Sequence, residues 1–225
     1  MTSFDRRQYA PATQRNREPI LAVLEEYLPP TGTVLEIASG SGEHALFFAP
    51  QLRPRRWLPT DVDPIALDSI AAWQAFAQTS PDFDHLTDCL YPGIALDVMA
   101  DRWPVEAEPL PDVLQAAGFD RGEIGAIAAM NLIHISPWSA CEGLMAGAGR
   151  ILPPGGVLYL YGPYKREGRH TAPSNAEFDQ FLQHRNPAWG VRDLEAVLDL
   201  AAQQGLSQRA IVPMPANNLS VILTA

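Results

Sequence analysis

Residues 33–52 read TVLEIASGSGEHALFFAPQL, and this stretch decides the fold. A short apolar run ends at Ala38, a turn with Gly40 and Gly42 follows, and an apolar, helix-compatible segment extends from Glu43 to Leu52. Short apolar runs bounded by glycine are typical of buried strands, and longer apolar segments are typical of helices. The stretch therefore predicts a strand, a glycine turn and a helix.

The alternation of strand and helix continues along the chain. A second apolar run, Arg56 to Thr60, ends at Asp61, and Asp63 followed by Pro64 indicates a helix start, because aspartate caps helices and proline suits their first turn. Further strands are predicted at 94–98, 124–130 and 156–161, helices at 64–77, 139–151 and 192–205, and two extended pieces at 209–223. This order predicts a Rossmann-like α/β fold, a doubly wound and mostly parallel sheet with helices on both faces.

Residues 1–225 are expected to form a single domain. Of the 225 residues, 47% are hydrophobic, which suffices for one core. An N-terminal helical segment is predicted at 1–30, with its amphipathic helix at 15–28, and turn-rich surface segments at 79–93 and 104–122. Residues 162–190 are predicted to form a lid on the substrate side, since polar, aromatic and basic residues follow a strand there.

The composition narrows the possible partners and locations. With a formal net charge of −10 and a pI near 4.9, nucleic acid is not expected as a partner. No apolar run reaches the roughly 18 residues that span a bilayer, and no apolar signal segment precedes the first helix, so a cytoplasmic protein without membrane contact is expected. Cys89 and Cys141 have no metal-ligand spacing, so free thiols and no metal are predicted.

The glycine turn predicts a cofactor site. Ligands of a doubly wound sheet bind beyond the carboxyl ends of its strands, where Gly40 and Gly42 allow a positive φ and close approach. The turn alone also fits the dinucleotide pattern G-x-G-x-x-A. Two acids favour S-adenosylmethionine (SAM) instead, because Glu36 is a strand carboxylate that can take the methionine ammonium and Glu43 would repel a diphosphate.

The remaining cofactor contacts are assigned to residues that follow the other strands. Asp61 is assigned to the ribose hydroxyls, because a carboxylate at a strand end can accept from both. Asp97 is assigned to the adenine amino group and Val98 to the adenine ring. The structural alternative for Asp97 is a turn aspartate. For Asp63, two residues after the ribose acid, the structural alternative is a helix cap. The complete predicted set is Glu36, Ala38, Gly40, Gly42, Asp61, Asp97, Val98 and Asn131.

Three motifs, VLEIASGSGEH at 34–44, DVDP at 61–64 and PPGG at 153–156, resemble those of the class I SAM-dependent methyltransferases. Five others resemble the uncharacterised methyltransferase-like family called domain of unknown function 938: RNREPI at 15–20, NLIHISPW at 131–138, YGPYK at 161–165, SN at 174–175 and MPANN at 214–218. The resemblance implies a seven-stranded sheet with an antiparallel last strand. It implies no substrate.

The residues after the strand at 124–130 are expected to face the methyl acceptor. Asn131 and His134 are the candidate catalytic residues, His134 being either a base that titrates near neutral pH or a hydrogen-bonded structural histidine. No carboxylate accompanies Asn131, so metal-independent transfer is expected. The substrate pocket is assigned to Trp138, Tyr164, Lys165, Arg169, Asn175 and Asn217.

Two of these assignments have structural alternatives. The basic residues of the pocket favour a small anionic substrate, but they also fit a solvated charged loop. Asn217 either lines the pocket or holds turn backbone.

Three functions are compatible with these residues. The first is a SAM-dependent methyltransferase acting on a small molecule. The second is a SAM-binding sensor or partner subunit, which would keep the same cofactor residues without catalysis. The third is an NAD(P)-dependent oxidoreductase, which Glu36 and Glu43 disfavour. The oligomeric state is not predicted.

Overall fold

The computed structural model describes residues 5–79 and 86–225, apart from the side chain of Thr87. The part of the turn-rich prediction at 80–85 lies outside these residues. The helices are α1 (Pro11–Tyr27), α2 (Glu43–Gln51), α3 (Pro64–Thr79), α4 (Asp112–Ala116), α5 (Trp138–Ile151), α6 (Pro173–Arg185) and α7 (Leu194–Gln203). The strands are β1 (Thr33–Ile37), β2 (Arg56–Asp61), β3 (Ile94–Ala95), β4 (Ile124–Met130), β5 (Val157–Arg166), β6 (Arg169–His170), β7 (Arg192–Asp193), β8 (Ser207–Met214) and β9 (Asn218–Thr224).

The strands form a nine-stranded, mostly parallel sheet with one antiparallel end, and helices lie around it. This confirms the predicted Rossmann-like α/β fold, and the last strand, β9, is antiparallel to β5 and β8. The count exceeds the expected seven because the two-residue strands β6 and β7 pair with β5 outside the main strand order.

The chain divides into two compact units. The first comprises Met1–Asp97 and Arg102–Ala126, and the second comprises Val98–Asp101 and Ile127–Ala225. In the first unit β2 pairs in parallel with both β1 and β3. All five residues of β1 are buried, as expected for a parallel strand covered on both faces.

The first helix starts earlier than its sequence pattern predicts. It begins at Pro11 rather than at residue 15, and its apolar face is buried, with Ile20 and Leu24 fully inaccessible. The backbone N–H of Ala10, directly before the helix, is bound by the carboxylate of Glu43. Pro11 in the first turn is a local signal for this start, whereas the contact with a residue 33 positions away is one that periodicity does not reveal.

In the second unit β5 is longer than predicted. It continues from residue 161 to Arg166, because β9 pairs with it as far as Pro163 and the short strands β6 and β7 pair with residues 164–166. Residues 162–190, for which a lid is predicted, comprise the end of β5, β6 and the helix α6. Strands β8 and β9 form the antiparallel pair predicted around Pro213 to Pro215.

Among residues 5–79 and 86–225, no helix combines the length and the apolar character that crossing a membrane requires.

Candidate functional site

The glycine turn after β1 has the backbone that its sequence predicts. Ala38, Gly40 and Gly42 all have positive φ, at 56°, 56° and 84°. A Cβ on Gly42 would lie 2.9 Å from Cγ1 of Ile70 on α3, whereas a Cβ on Gly40 would meet nothing within 4 Å. Gly42 therefore allows the turn to pack closely against α3. At Gly40 the space beside the turn is empty of protein atoms.

Asp61, at the end of β2, holds this turn. Its Oδ2 accepts the N–H of Gly40 at 2.9 Å, and its Oδ1 accepts the N–H of Asp63 at 2.9 Å. Asp63 in turn accepts the N–H of Ile65 at the start of α3, so it has the structural role of a cap. Val62, between the two aspartates, is an apolar residue that is 62% exposed. No role is assigned to Val62 from the sequence.

Glu36 is a completely buried carboxylate on β1. Its Oε2 accepts the indole N–H of Trp57 at 2.9 Å, while its Oε1 has no hydrogen-bond partner among the described residues. Burial raises the pKa of Glu36 to about 7, against the opposing effect of the hydrogen bond from Trp57. An unpartnered buried oxygen is costly, so a donor that reached this atom would remove that cost.

Hydrogen bonds link residues 8–10 to the glycine turn. The carboxylate of Glu43 accepts the N–H of Ala10 at 2.5 Å and the hydroxyl of Ser41 at 3.0 Å. The hydroxyl of Ser69 accepts the N–H of Gln8 and donates to the carbonyl of Ser41, both at 2.8 Å. No motif in the sequence marks these contacts, because they join three segments that are far apart along the chain.

The residues assigned to adenine fall in different units. Asp97 belongs to the first unit and is exposed after β3. Val98 belongs to the second unit, is 5% exposed, and its carbonyl oxygen lies so close to Gly143 of α5 that a Cβ there would clash with it. Asn131 also belongs to the second unit.

Asn131 shapes the turn that follows β4. It has a φ of 60°, its N–H donates to the carbonyl of Tyr161 at 2.7 Å, and its carbonyl accepts the N–H of His134 at 3.1 Å. Asparagine tolerates this left-handed conformation better than most residues. The turn Leu132–His134 thereby directs the imidazole of His134 into the second unit, where it is fully buried.

The surroundings of His134 favour the structural reading of this residue. Burial, and after it the charge of Arg192, lowers the pKa of His134 to about 3. The ring packs edge-on against Tyr164 at 5.0 Å, and a Cβ on Gly162 would lie 2.5 Å from Nε2 of His134. The imidazole thus fills the space that Gly162 leaves, and it stays neutral near pH 7.

Arg192 is a residue that sequence reasoning missed. Its guanidinium donates to the carbonyls of Ile133, Ser136 and Ala188 at 2.8, 2.6 and 2.8 Å, and its backbone N–H points to Nδ1 of His134 at 3.4 Å. It lies in β7, whereas the sequence placed it at the start of a helix. It therefore holds the turn that carries both candidate catalytic residues.

Lys165 is paired inside the protein. Its ammonium lies 2.9 Å from Oδ2 of Asp179, a carboxylate only 4% exposed, and Nε2 of His170 lies 3.2 Å from the same oxygen. Burial by itself would raise the pKa of Asp179, but hydrogen bonds from Lys165 and Val191 outweigh it and the pKa is lowered. Lys165 is thus largely neutralised, and Arg166 and Arg169 are exposed cations of this region.

The other predicted substrate residues lie in separate contacts. Asn175 is buried and donates to the hydroxyl of Thr171 and to the carbonyl of Asn217, at 3.1 and 3.0 Å. Asn217 is exposed, and its amide donates to the hydroxyl of Ser174 at 3.2 Å, whereas it is Asn175 that binds turn backbone. Trp138 begins α5, with the Arg192 guanidinium 5.8 Å from its ring centroid.

A cavity in the first unit does not coincide with the predicted site. Its volume is about 240 Å³, and its lining includes Arg56, Gln74, Leu86 and Leu90, none of which was assigned to cofactor or substrate. Within the described ranges, His, Cys, Asp and Glu side chains form no group of three that could hold a metal ion.

Replacing Asp61 by alanine should weaken SAM binding by about 1–3 kcal/mol, because the variant loses both a proposed ribose acceptor and the hydrogen bond to Gly40. Calorimetric titration with SAM measures this loss. Asp63→Ala is the matched control, since it removes a helix cap and should lower the melting temperature with little change in affinity. Equal affinity of Asp61→Ala and the unaltered protein would show that the ribose lies elsewhere.

Solved structures of methyltransferases share this fold at low sequence identity. They include an O-methyltransferase family 2 protein from Planctomyces limnophilus in complex with apigenin (18% identity, TM-score 0.67, 95% of this chain and 60% of that chain). Another is human N-acetylserotonin methyltransferase in complex with SAM (15% identity, TM-score 0.67, 95% of this chain and 52% of that chain). A third is an O-methyltransferase from neocarzinostatin biosynthesis in complex with SAM and 2-hydroxy-5-methyl naphthoic acid (17% identity, TM-score 0.67, 95% of this chain and 54% of that chain).

This chain therefore spans between 52% and 60% of the length of these three proteins. A family model described as "Protein of unknown function (DUF938)" matches residues 7–225. Since that match covers nearly the whole chain and includes all the motifs quoted above, the protein belongs to the DUF938 family.

Proposed function

We propose that this protein is a SAM-dependent methyltransferase that acts on a small molecule. The observation that carries the proposal is the group formed in the first unit by the Gly40–Gly42 turn, Asp61 and the unpartnered oxygen of Glu36. SAM presents an ammonium, for which Glu36 is the proposed acceptor, and two ribose hydroxyls, for which Asp61 is the proposed acceptor. It has no diphosphate, which Glu43 would repel.

The residues fit the chemistry of this cofactor. Oε1 of Glu36 can accept from the ammonium, and each oxygen of Asp61 accepts one amide and keeps a lone pair for a ribose hydroxyl. Gly40 has free space on the open side of the turn. When bound, SAM supplies a methyl group that its sulfonium has already activated.

Methyl transfer also requires that the acceptor be oriented and that water be excluded. Transfer needs the nucleophile in line at about 3 Å and does not require a strong base or a metal. Neutral, buried His134 is proposed as a positioning residue that supports Asn131 and Tyr164, and the low pKa disfavours its use as a base near pH 7. Arg169 supports a preference for an anionic substrate.

The solved structures support the substrate class, because apigenin and a hydroxylated naphthoic acid are small molecules. A cytoplasmic location is part of the same proposal, and cell fractionation would test it.

The test has two parts. Calorimetric titrations with SAM, its demethylated product and NADH establish the cofactor, and incubation with labelled SAM and a metabolite extract, read by mass spectrometry, detects a methylated product. Asp61→Ala serves as the negative control. Tight SAM binding without product in any extract would favour the sensor or partner subunit, and binding of NADH instead of SAM would overturn the proposal.

A further inference from the structure

Arg17 is a half-buried cation on α1 that pairs with no carboxylate of the described residues. Its guanidinium carbon lies 4.4 Å over the ring of Phe47 on α2. Its Nε is buried without a hydrogen-bond partner, and within residues 5–79 and 86–225 no carboxylate pairs with it. An arginine that loses hydration without gaining an acceptor is destabilising unless a ligand supplies one.

The position of Arg17 places this cation beside the first turn of α2. The preceding residue, Asn16, contacts Nε2 of His44 through its Oδ1 at 2.9 Å, and His44 follows the glycine turn by two residues. Burial lowers the pKa of His44 to about 4, and the charge of Arg17 contributes to this shift. All of these residues lie in the first unit, as the glycine turn does.

We propose that Arg17 binds the carboxylate at the methionine end of SAM. This inference rests on the proposed function and adds a residue to its cofactor site. The methionine end is an α-amino acid, which needs an acceptor for its ammonium and a donor for its carboxylate. In the first unit the unpartnered Oε1 of Glu36 supplies the acceptor and the guanidinium of Arg17 supplies the donors.

The stacking of Arg17 suits this role. The guanidinium carbon lies over an aromatic ring, and guanidinium N–H groups directed away from such a ring can meet a carboxylate in bidentate geometry. The positive end of the α2 dipole adds a smaller attraction for an anion at the same place.

The experiment compares two ligands that differ in the amino acid part. Calorimetry measures the affinity of each protein for S-adenosylhomocysteine, which has the carboxylate, and for 5′-methylthioadenosine, which lacks the whole amino acid end. We expect Arg17→Met to weaken S-adenosylhomocysteine by about 10- to 100-fold, the scale of a lost charged hydrogen bond, and to leave methylthioadenosine unchanged. Arg17→Lys should be intermediate, and Arg15→Met, at an exposed position of the same helix, should change neither affinity.

The ratio of the two affinities within one variant separates recognition from folding. Equal weakening of both ligands in Arg17→Met would show that Arg17 only supports the structure, and unchanged binding of S-adenosylhomocysteine would show that another group holds the carboxylate. Either result overturns the inference and leaves the proposed function intact. If the unaltered protein binds neither ligand, the proposed function fails together with the inference.

Discussion

Replacing Glu36 by glutamine is expected to change the free energy of unfolding of the ligand-free protein in a pH-dependent way. Relative to its effect below pH 4.5, the substitution should raise this free energy by about 3 kcal/mol above pH 7. The pKa of Glu36 rises from its usual 4.5 to about 7 on folding. Below 4.5 the carboxyl is neutral in both states, and between 4.5 and 7 only the unfolded chain releases the proton. The contribution of Glu36 to stability is therefore complete at low pH and lost as pH rises to about 7.

Urea unfolding of both proteins at about pH 4.5 and about pH 8 measures this effect. The buried histidines His44 and His134 titrate in both proteins, so they cancel in the difference. A stability difference that is the same at both pH values would show that Glu36 ionises normally in the folded protein. The same variant should bind SAM more weakly at pH 8, because a neutral amide replaces the proposed partner of the ammonium. Stability and affinity would then change in opposite directions.

Replacing Gly162 by alanine is expected to destabilise the protein by about 1–3 kcal/mol. The new Cβ would lie 2.5 Å from Cδ2 and Nε2 of His134 and 3.1 Å from Oδ1 of Asn131. The imidazole cannot move aside cheaply, because Tyr164 packs against it and Arg192 holds its turn. Urea unfolding at neutral pH gives the loss directly.

A double-mutant cycle identifies the cause of that loss. In the Gly162→Ala background, His134→Ala should cost much less than in the unaltered protein, because the added methyl group takes part of the vacated space. Gly155→Ala is the matched control: it introduces a side chain at a φ of 80° but meets nothing within 4 Å, so its cost should add to that of His134→Ala. Additive effects in both pairs would contradict the proposed packing of His134 against Gly162.

The same variants bear on the role of His134. Once a substrate is known, His134→Ala in a folded protein should retain most of the methyl transfer rate if the residue only positions its neighbours. A loss of about 10²- to 10⁴-fold with unchanged SAM affinity would instead be that of a general base.

The sequence by itself determined the features that depend on local pattern. The strand, glycine turn and helix at 33–52, the bounds of β4, the cap at Asp63 and the C-terminal strand pair all agree with the structure. These features follow from glycine conformation, helix capping and the difference between short and long apolar runs, which involve residues close together along the chain. The positions of Glu36, Gly40 and Asp61 at or near strand ends also belong to this class, and their role in cofactor binding stays a prediction.

Only the tertiary structure decided what depends on distant partners and on burial. Asp179 neutralises Lys165, Gly162 makes room for His134, and Glu43 binds the N–H of Ala10 before α1. The length of β5 likewise depends on β6, β7 and β9. The physical reason is that a charge or a proton affinity is a property of the surroundings: a lysine beside a buried carboxylate, or a histidine removed from water, loses the chemistry that its residue type alone indicates.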